Sequence, residues 1–201
     1  MTTFTDQLLA RAQADEGWEY PESRSVSTHT PWSRADYAYT YGRGVVSYST
    51  PGHGGFRLSP TRNTQVHEAL RNADGWYEED VEWAAAAVTF PELFPRKHVQ
   101  SAVRSLRSWN PDGWTAFSGE EVAVEESHVL RKRQFERDNA DRWVVLSARG
   151  RSDGSGLVDV TATLGGSRQP GVEHRDFVVT KSDYDQRGEF GYVVQPATLT
   201  S

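Results

Sequence analysis

Two short runs hold most of the side chains in this chain that could do chemistry. The first is Thr50-Pro51-Gly52-His53-Gly54-Gly55, and the second is Trp76-Tyr77-Glu78-Glu79-Asp80-Val81-Glu82-Trp83. An imidazole between glycines is open to a ligand, and the amides around it are uncovered. His53 is therefore a candidate metal ligand, general base or member of an anion-binding backbone nest. The competing reading is a plain turn, in which the glycines bend the chain and His53 bonds a backbone carbonyl. The run lacks the Gly-Lys-Ser/Thr end of a phosphate-binding loop and the later glycine of a dinucleotide fingerprint.

The acidic run reads as the first turns of a helix over residues 76–88, capped by Asp74. Carboxylates at a helix start offset its partial positive charge, by about 0.3–1 kcal/mol each. On that helix Trp76, Asp80, Trp83 and Ala87 would share one stripe, Glu78 and Glu82 a second, and Glu79 a third. A carboxylate on an aromatic stripe must be paired or face a pocket. The candidate catalytic set is therefore His53 with Glu79 and Asp80, and the candidate binding residues are Gly54, Gly55, Trp76, Tyr77 and Trp83. Imidazole and carboxylate donors suit Mn²⁺, Mg²⁺ or Zn²⁺, although the residues name no particular metal or cofactor. The same histidine–acid contact would serve equally as a structural hydrogen bond that organises the fold.

Other chemistry is excluded or bland. The chain has no cysteine, so disulfides, thiolate metal sites and thiol nucleophiles are absent. It has no His-x-x-x-His pair, which removes the zincin signature. Gly154-Ser155-Gly156 reads as a hairpin turn, and Arg131-Lys132-Arg133, flanked by acids, as a solvated helix face. A net charge of −6 argues against non-specific nucleic-acid binding, which needs a basic surface. The N-terminus shows no basic-then-apolar leader, and the longest apolar run, Ala84 to Val88, is far too short to span a bilayer. The expectation is a cytoplasmic protein of a bacterial host with no membrane partner.

The elements that must position these residues follow from pattern. With 201 residues, 36% hydrophobic and seven Trp, the chain can build a real core. An amphipathic helix is expected over 3–15, followed by an extended aromatic segment in which Tyr37, Tyr39 and Tyr41 alternate as on a strand. A strand over 44–49 runs into the glycine turn, and Phe56-Arg57-Leu58 pairs back. Helices are expected over 60–72, 76–88 and 95–108, the last burying Val99, Ala102, Val103 and Leu106. A box at Ser118 and Glu121 suggests a further helix or helix pair to about 139. Strands then follow over 143–148, 157–164, 176–180 and 190–194, with Val158, Val160, Ala162 and Leu164 on one buried face. The expected fold is α+β, with an antiparallel sheet of the C-terminal strands (about 143–194) and a strand near 44–49 packed against several helices between 60 and 139. The expected organisation is an N-terminal helix and aromatic segment (1–42), a single α+β domain (43–195) and a tail (196–201).

Ser49-Thr50-Pro51-Gly52-His53-Gly54-Gly55-Phe56-Arg57-Leu58-Ser59, then Asn63, Leu70 and Trp76-Tyr77-Glu78-Glu79-Asp80-x-Glu82-Trp83-Ala84, resembles a domain-of-unknown-function family. That family is met in actinobacterial phages and plasmid-borne bacterial proteins. Asp141-Arg142-Trp143-Val144-Val145, Gly165-Gly166 and Arg175-x-Phe177-x-Val179 resemble its end, so the likeness covers roughly residues 43–195. The resemblance implies a mobile-element accessory protein and no particular chemistry. The first functional expectation is thus an accessory protein that binds a host or phage protein, in a counter-defence or host-modulating role. The alternatives are a metal-dependent hydrolase or nuclease using His53 with Glu79 and Asp80, and a nucleic-acid-binding module using the C-terminal sheet with Arg149, Arg151 and Arg168.

Overall fold

In a computed structural model, which describes residues 2–195, the alternating Tyr37, Tyr39 and Tyr41 lie on a strand, β2 (Arg34–Gly42). It belongs to a five-stranded antiparallel sheet whose strands follow in sequence order: β1 (Ser23–His29), β2, β3 (Val45–Ser49), β4 (Gly54–Leu58) and β5 (Trp76–Glu78). The chain divides into two compact units between Val129 and Leu130. The expected tail, 196–201, lies outside the described residues.

In the first unit the sheet is accompanied by α1 (Phe4–Arg11), α2 (Pro60–Asn63), α3 (Trp83–Thr89), α4 (Arg96–Trp109) and α5 (Pro111–Ser118). Val45, Phe56, Leu58 and Tyr77 from the sheet are buried with Ala84 to Val88 of α3, Phe94 of the loop before α4, Val99 and Leu106 of α4, and Trp114 of α5. The four expected apolar positions of α4 are its buried ones. The start of α1 is built twice over. Thr3 and Asp6 form a capping box, and the Glu120 carboxylate accepts from the Phe4 and Thr5 amides at 2.8 and 3.3 Å and from the Thr5 hydroxyl at 2.9 Å. A carboxylate there meets the positive end of the helix. Replacing Glu120 by Ala should cost about 1–2 kcal/mol in urea denaturation, and Glu120→Gln less.

Three expected helices are corrected. Residues 60–72 form only α2 and a single 3-10 turn at Glu68–Leu70. Side chains take over the backbone groups that a longer helix would use. The Arg71 guanidinium donates to the Val66 carbonyl at 2.6 and 2.8 Å, and the His67 ring accepts from the Ala69 amide at 3.3 Å. Residues 76–88 do not form one helix: Trp76–Glu78 is a strand, and the helix begins only at Trp83. Asp74 caps no helix, because its carboxylate accepts from the Trp76 amide at 3.0 Å in a local turn leading into that strand. Ser118 does not open a helix either. It closes α5, and Gly119 follows at φ 73°, the left-handed end that glycine tolerates.

The second unit holds most of α6 (His128–Asp138), a three-stranded antiparallel sheet of β6 (Trp143–Gly150), β7 (Leu157–Leu164) and β8 (Arg175–Thr180), and α7 (Lys181–Asp185). Val158, Val160 and Ala162 are buried with Phe177, Val179, Tyr192 and Val194, as the alternation requires, while Leu164 is exposed. The fold is α+β throughout. The strand near 44–49, however, pairs within the N-terminal sheet and not with the C-terminal strands. Hairpins β2–β3 and β3–β4 satisfy both of its edges locally, leaving none to share. Residues 190–194 form no full strand, although Val145 donates to the Tyr192 carbonyl and Val194 to the Trp143 carbonyl. Arg151 is held bidentately by Asp159, at 2.6 and 3.1 Å, which ties up one cation of the nucleic-acid reading.

Two phenols, one buried and one partly buried against the core, give the first unit an alkaline limit. Burial pushes the Tyr41 hydroxyl up to about 12, with Tyr20 and Tyr39 adding to the effect, and burial also raises Tyr77. In the unfolded chain a tyrosine ionises near pH 10. The stability these neutral phenols contribute is therefore complete below about pH 10 and is lost as pH rises towards 12. Tyr41→Phe should lose less stability than wild type across that window in pH-dependent urea melts.

Candidate functional site

The glycine run closes the β3–β4 hairpin. The Thr50 amide and hydroxyl both donate to the His53 carbonyl, at 2.8 and 2.7 Å, and the hydroxyl accepts from the His53 amide at 3.0 Å. Gly52 does not adopt the positive φ that a type II turn at Pro51-Gly52 would require. Gly54 and Gly55 have no positive φ either. They are needed for close approach. A Cβ on Gly54 would stand 2.6 Å from a Glu79 carboxylate oxygen. One on Gly55 would stand 2.3 Å from both the Trp32 ring and the Tyr77 carbonyl oxygen.

Strand pleating then sorts the residues onto two faces. Register places Gly55 opposite Tyr48 and Glu78, Phe56 opposite Tyr77, and Arg57 opposite Trp76. Phe56 and Tyr77 point towards the helices, where the Tyr77 hydroxyl donates to Asn63 at 2.6 Å. The opposite face carries His53, Arg57, Tyr48, Trp76 and Glu78, with Trp32 of the β1–β2 turn laid over Gly55. Its rings contact one another: Trp32 and Trp76 meet edge-to-face at 5.7 Å, and Tyr48 and Trp76 lie 5.5 Å apart. The Arg57 guanidinium sits 5.1 Å over the Trp76 ring and donates to the Asp74 carbonyl. Tyr48, Trp76 and Trp32 are each only partly buried.

At the rim of this face His53 Nδ1 stands 3.7 Å from Glu78 Oε1 and 3.9 Å from Glu79 Oε1. Among the described residues these three form the one set of imidazole and carboxylate donors close enough to share a metal ion, all lying within 4.8 Å of one another. The acids are held in place. The second Glu78 oxygen accepts from the Asp80 amide at 2.9 Å, and the Glu79 amide donates to the Gly54 carbonyl at 3.1 Å. Glu82 accepts from the Glu78 amide and from Asn72, at 3.1 and 2.8 Å, and so turns the chain from β5 into α3.

The structure thus brings His53 and Glu79 together and adds Glu78. Asp80 is outside the set; it gives only its backbone amide to Glu78. The stripe of Trp76, Asp80, Trp83 and Ala87 does not exist, because Trp76 is on a strand, while Trp83 packs with the helical core. Of the expected binding residues, Trp76 lies on the open face, Gly54 and Gly55 shape it from beneath, Tyr77 is buried, and Trp83, partly buried, packs against the core. Trp32, Tyr48 and Arg57 escaped the sequence reading. The alternation of Trp76 and Glu78 about Tyr77 was the signal that could have placed the run on a strand.

A family model described as a domain of unknown function, DUF7007, matches residues 25–140, which run from within β1 to just beyond α6. No curated protein and no solved structure matches the chain.

Proposed function

The chain belongs to the DUF7007 family, and we propose that it acts by binding a protein partner through the open face of its five-stranded sheet. The observation that carries this reading is the sorting of the sheet. Helices gather on the Phe56 and Tyr77 side, and the other side keeps a contiguous, partly exposed group of Trp32, Tyr48, Trp76 and Arg57. Aromatic residues and arginine are the types that dominate binding energy at protein interfaces. The resemblance of the glycine and acidic runs to phage and plasmid proteins supports a mobile-element accessory role in the cytoplasm of a bacterial host, with a host or phage protein as target. No helix is long and apolar enough to cross a membrane, among the described residues. Affinity purification with tagged wild type and a Tyr48→Ala/Trp76→Ala double variant tests the reading. A protein retained by wild type and lost with the double variant is the expected result; equal retention by both would contradict it.

A further inference from the structure

We propose that His53, Glu78 and Glu79 bind one divalent transition-metal ion at the rim of the five-stranded sheet. This inference does not rest on the protein-binding reading. It starts from an electrostatic imbalance. Glu78 and Glu79 are adjacent carboxylates brought onto one imidazole, and among the described residues neither has a lysine or arginine within ion-pair distance. Two like charges held this close repel unless a cation lies between them. Many surface acids avoid the problem by turning outward. Glu78, 24% exposed and bonded at its second oxygen, is kept from doing so, while Glu79, 50% exposed, is brought to His53 through its backbone.

Glu78 is restrained through its side chain, and Glu79 and His53 through their backbones. Glu78 is on a hydrogen-bonded strand, with one carboxylate oxygen bound to the Asp80 amide and the other directed at His53. Its side chain is only 24% exposed. Glu79 is tied by its amide to Gly54 and lies in the space that a side chain at Gly54 would fill. His53 is fixed by the Thr50 clamp, which closes the hairpin at its own carbonyl and amide. The Asp80 amide on Glu78 is an outer hydrogen bond of the kind that orients a donor around a metal, and the other two restraints fix the backbone that carries Glu79 and His53.

The donor set selects the metal class. Metal–nitrogen and metal–oxygen bonds of about 2.0–2.2 Å bring donors on one ion to roughly 3–4 Å of each other. The His53–Glu78 and His53–Glu79 separations of 3.7 and 3.9 Å already fall in that range. An imidazole with two carboxylates suits Zn²⁺ or Mn²⁺ better than Mg²⁺ or Ca²⁺, which favour all-oxygen shells. With the His53 side chain 61% exposed, the remaining coordination positions open to solvent.

The test uses the full chain, stripped with EDTA and titrated separately with ZnCl₂ and MnCl₂ by calorimetry, with Mn²⁺ also followed by electron paramagnetic resonance. Saturable binding of one ion per chain is expected. His53→Gln, which keeps the hairpin, and Glu78→Gln should each weaken it about 10–100-fold. Asp80→Asn, whose backbone amide is retained, should bind within about twofold of wild type. Circular dichroism confirms that each variant is folded. Absence of saturable binding by wild type, or binding that His53→Gln leaves unchanged, would overturn the assignment.

Discussion

Gly55→Ala should lose about 2–3 kcal/mol of stability in urea denaturation, the scale of an overpacked interior. The reason lies in what a single methyl would meet. One neighbour, the Trp32 ring, is a side chain and can swing away. The other, at the same 2.3 Å, is the Tyr77 carbonyl oxygen, which is part of the β4–β5 ladder. Relief therefore requires the strands to separate, and the damage reaches the aromatic face as well as the fold. Gly52→Ala is the matched comparison. Nothing lies within 4 Å of its would-be side chain and its φ is not positive, so its change should stay within about 0.5 kcal/mol. Equal stability of the two variants would refute the close approach at Gly55.

Trp76→Ala should weaken partner binding about 30-fold or more, equivalent to the ~2 kcal/mol of a hot-spot residue. Trp76 is the hub of the open face, since Trp32, Tyr48 and Arg57 all contact its ring. Removing it takes away its own contact area and loosens three neighbours together. Trp109 is the control. It is 51% exposed at the end of α4, and its ring meets His128 at 4.4 Å and none of Trp32, Tyr48 or Trp76. Trp109→Ala should leave affinity within about twofold if the sheet face alone carries the binding. Surface plasmon resonance against the purified partner reads both.

The parts of this architecture that were legible in sequence share a property: their pattern is local and long. The α4 positions 99, 102, 103 and 106 repeat over a whole helix, and β7 alternates from Leu157 to Ala162 before the pattern breaks at Thr163 and Leu164, so one face of each is set by periodicity. The run at 76–82 misleads for the opposite reason. Its strand is three residues long and exists because β4, some twenty residues earlier, offers a free edge. Locally, an acid-rich segment after Gly75 looks like the start of a helix, and pairing at a distance overrides that preference. The site was legible to the same extent. The meeting of His53 with a neighbouring acid could be anticipated from residue type. Which acid it met depended on strand or helix: a helix sets Glu78 and Glu79 on different stripes, whereas a strand end followed by a turn brings both to His53. Trp32 could be read only as one of the aromatics of a segment that must pack on something; its place on that face comes from the β1–β2 turn and the absence of a side chain on Gly55.

The open face of the five-stranded sheet is the surface proposed to bind the partner. Photocross-linking in the host cell, from benzoylphenylalanine placed at position 48 and in parallel at position 109, addresses it most directly. A discrete adduct from position 48, abolished by Trp76→Ala and not formed from position 109, is the predicted result. No adduct from position 48, or the same adduct from both positions, would contradict it.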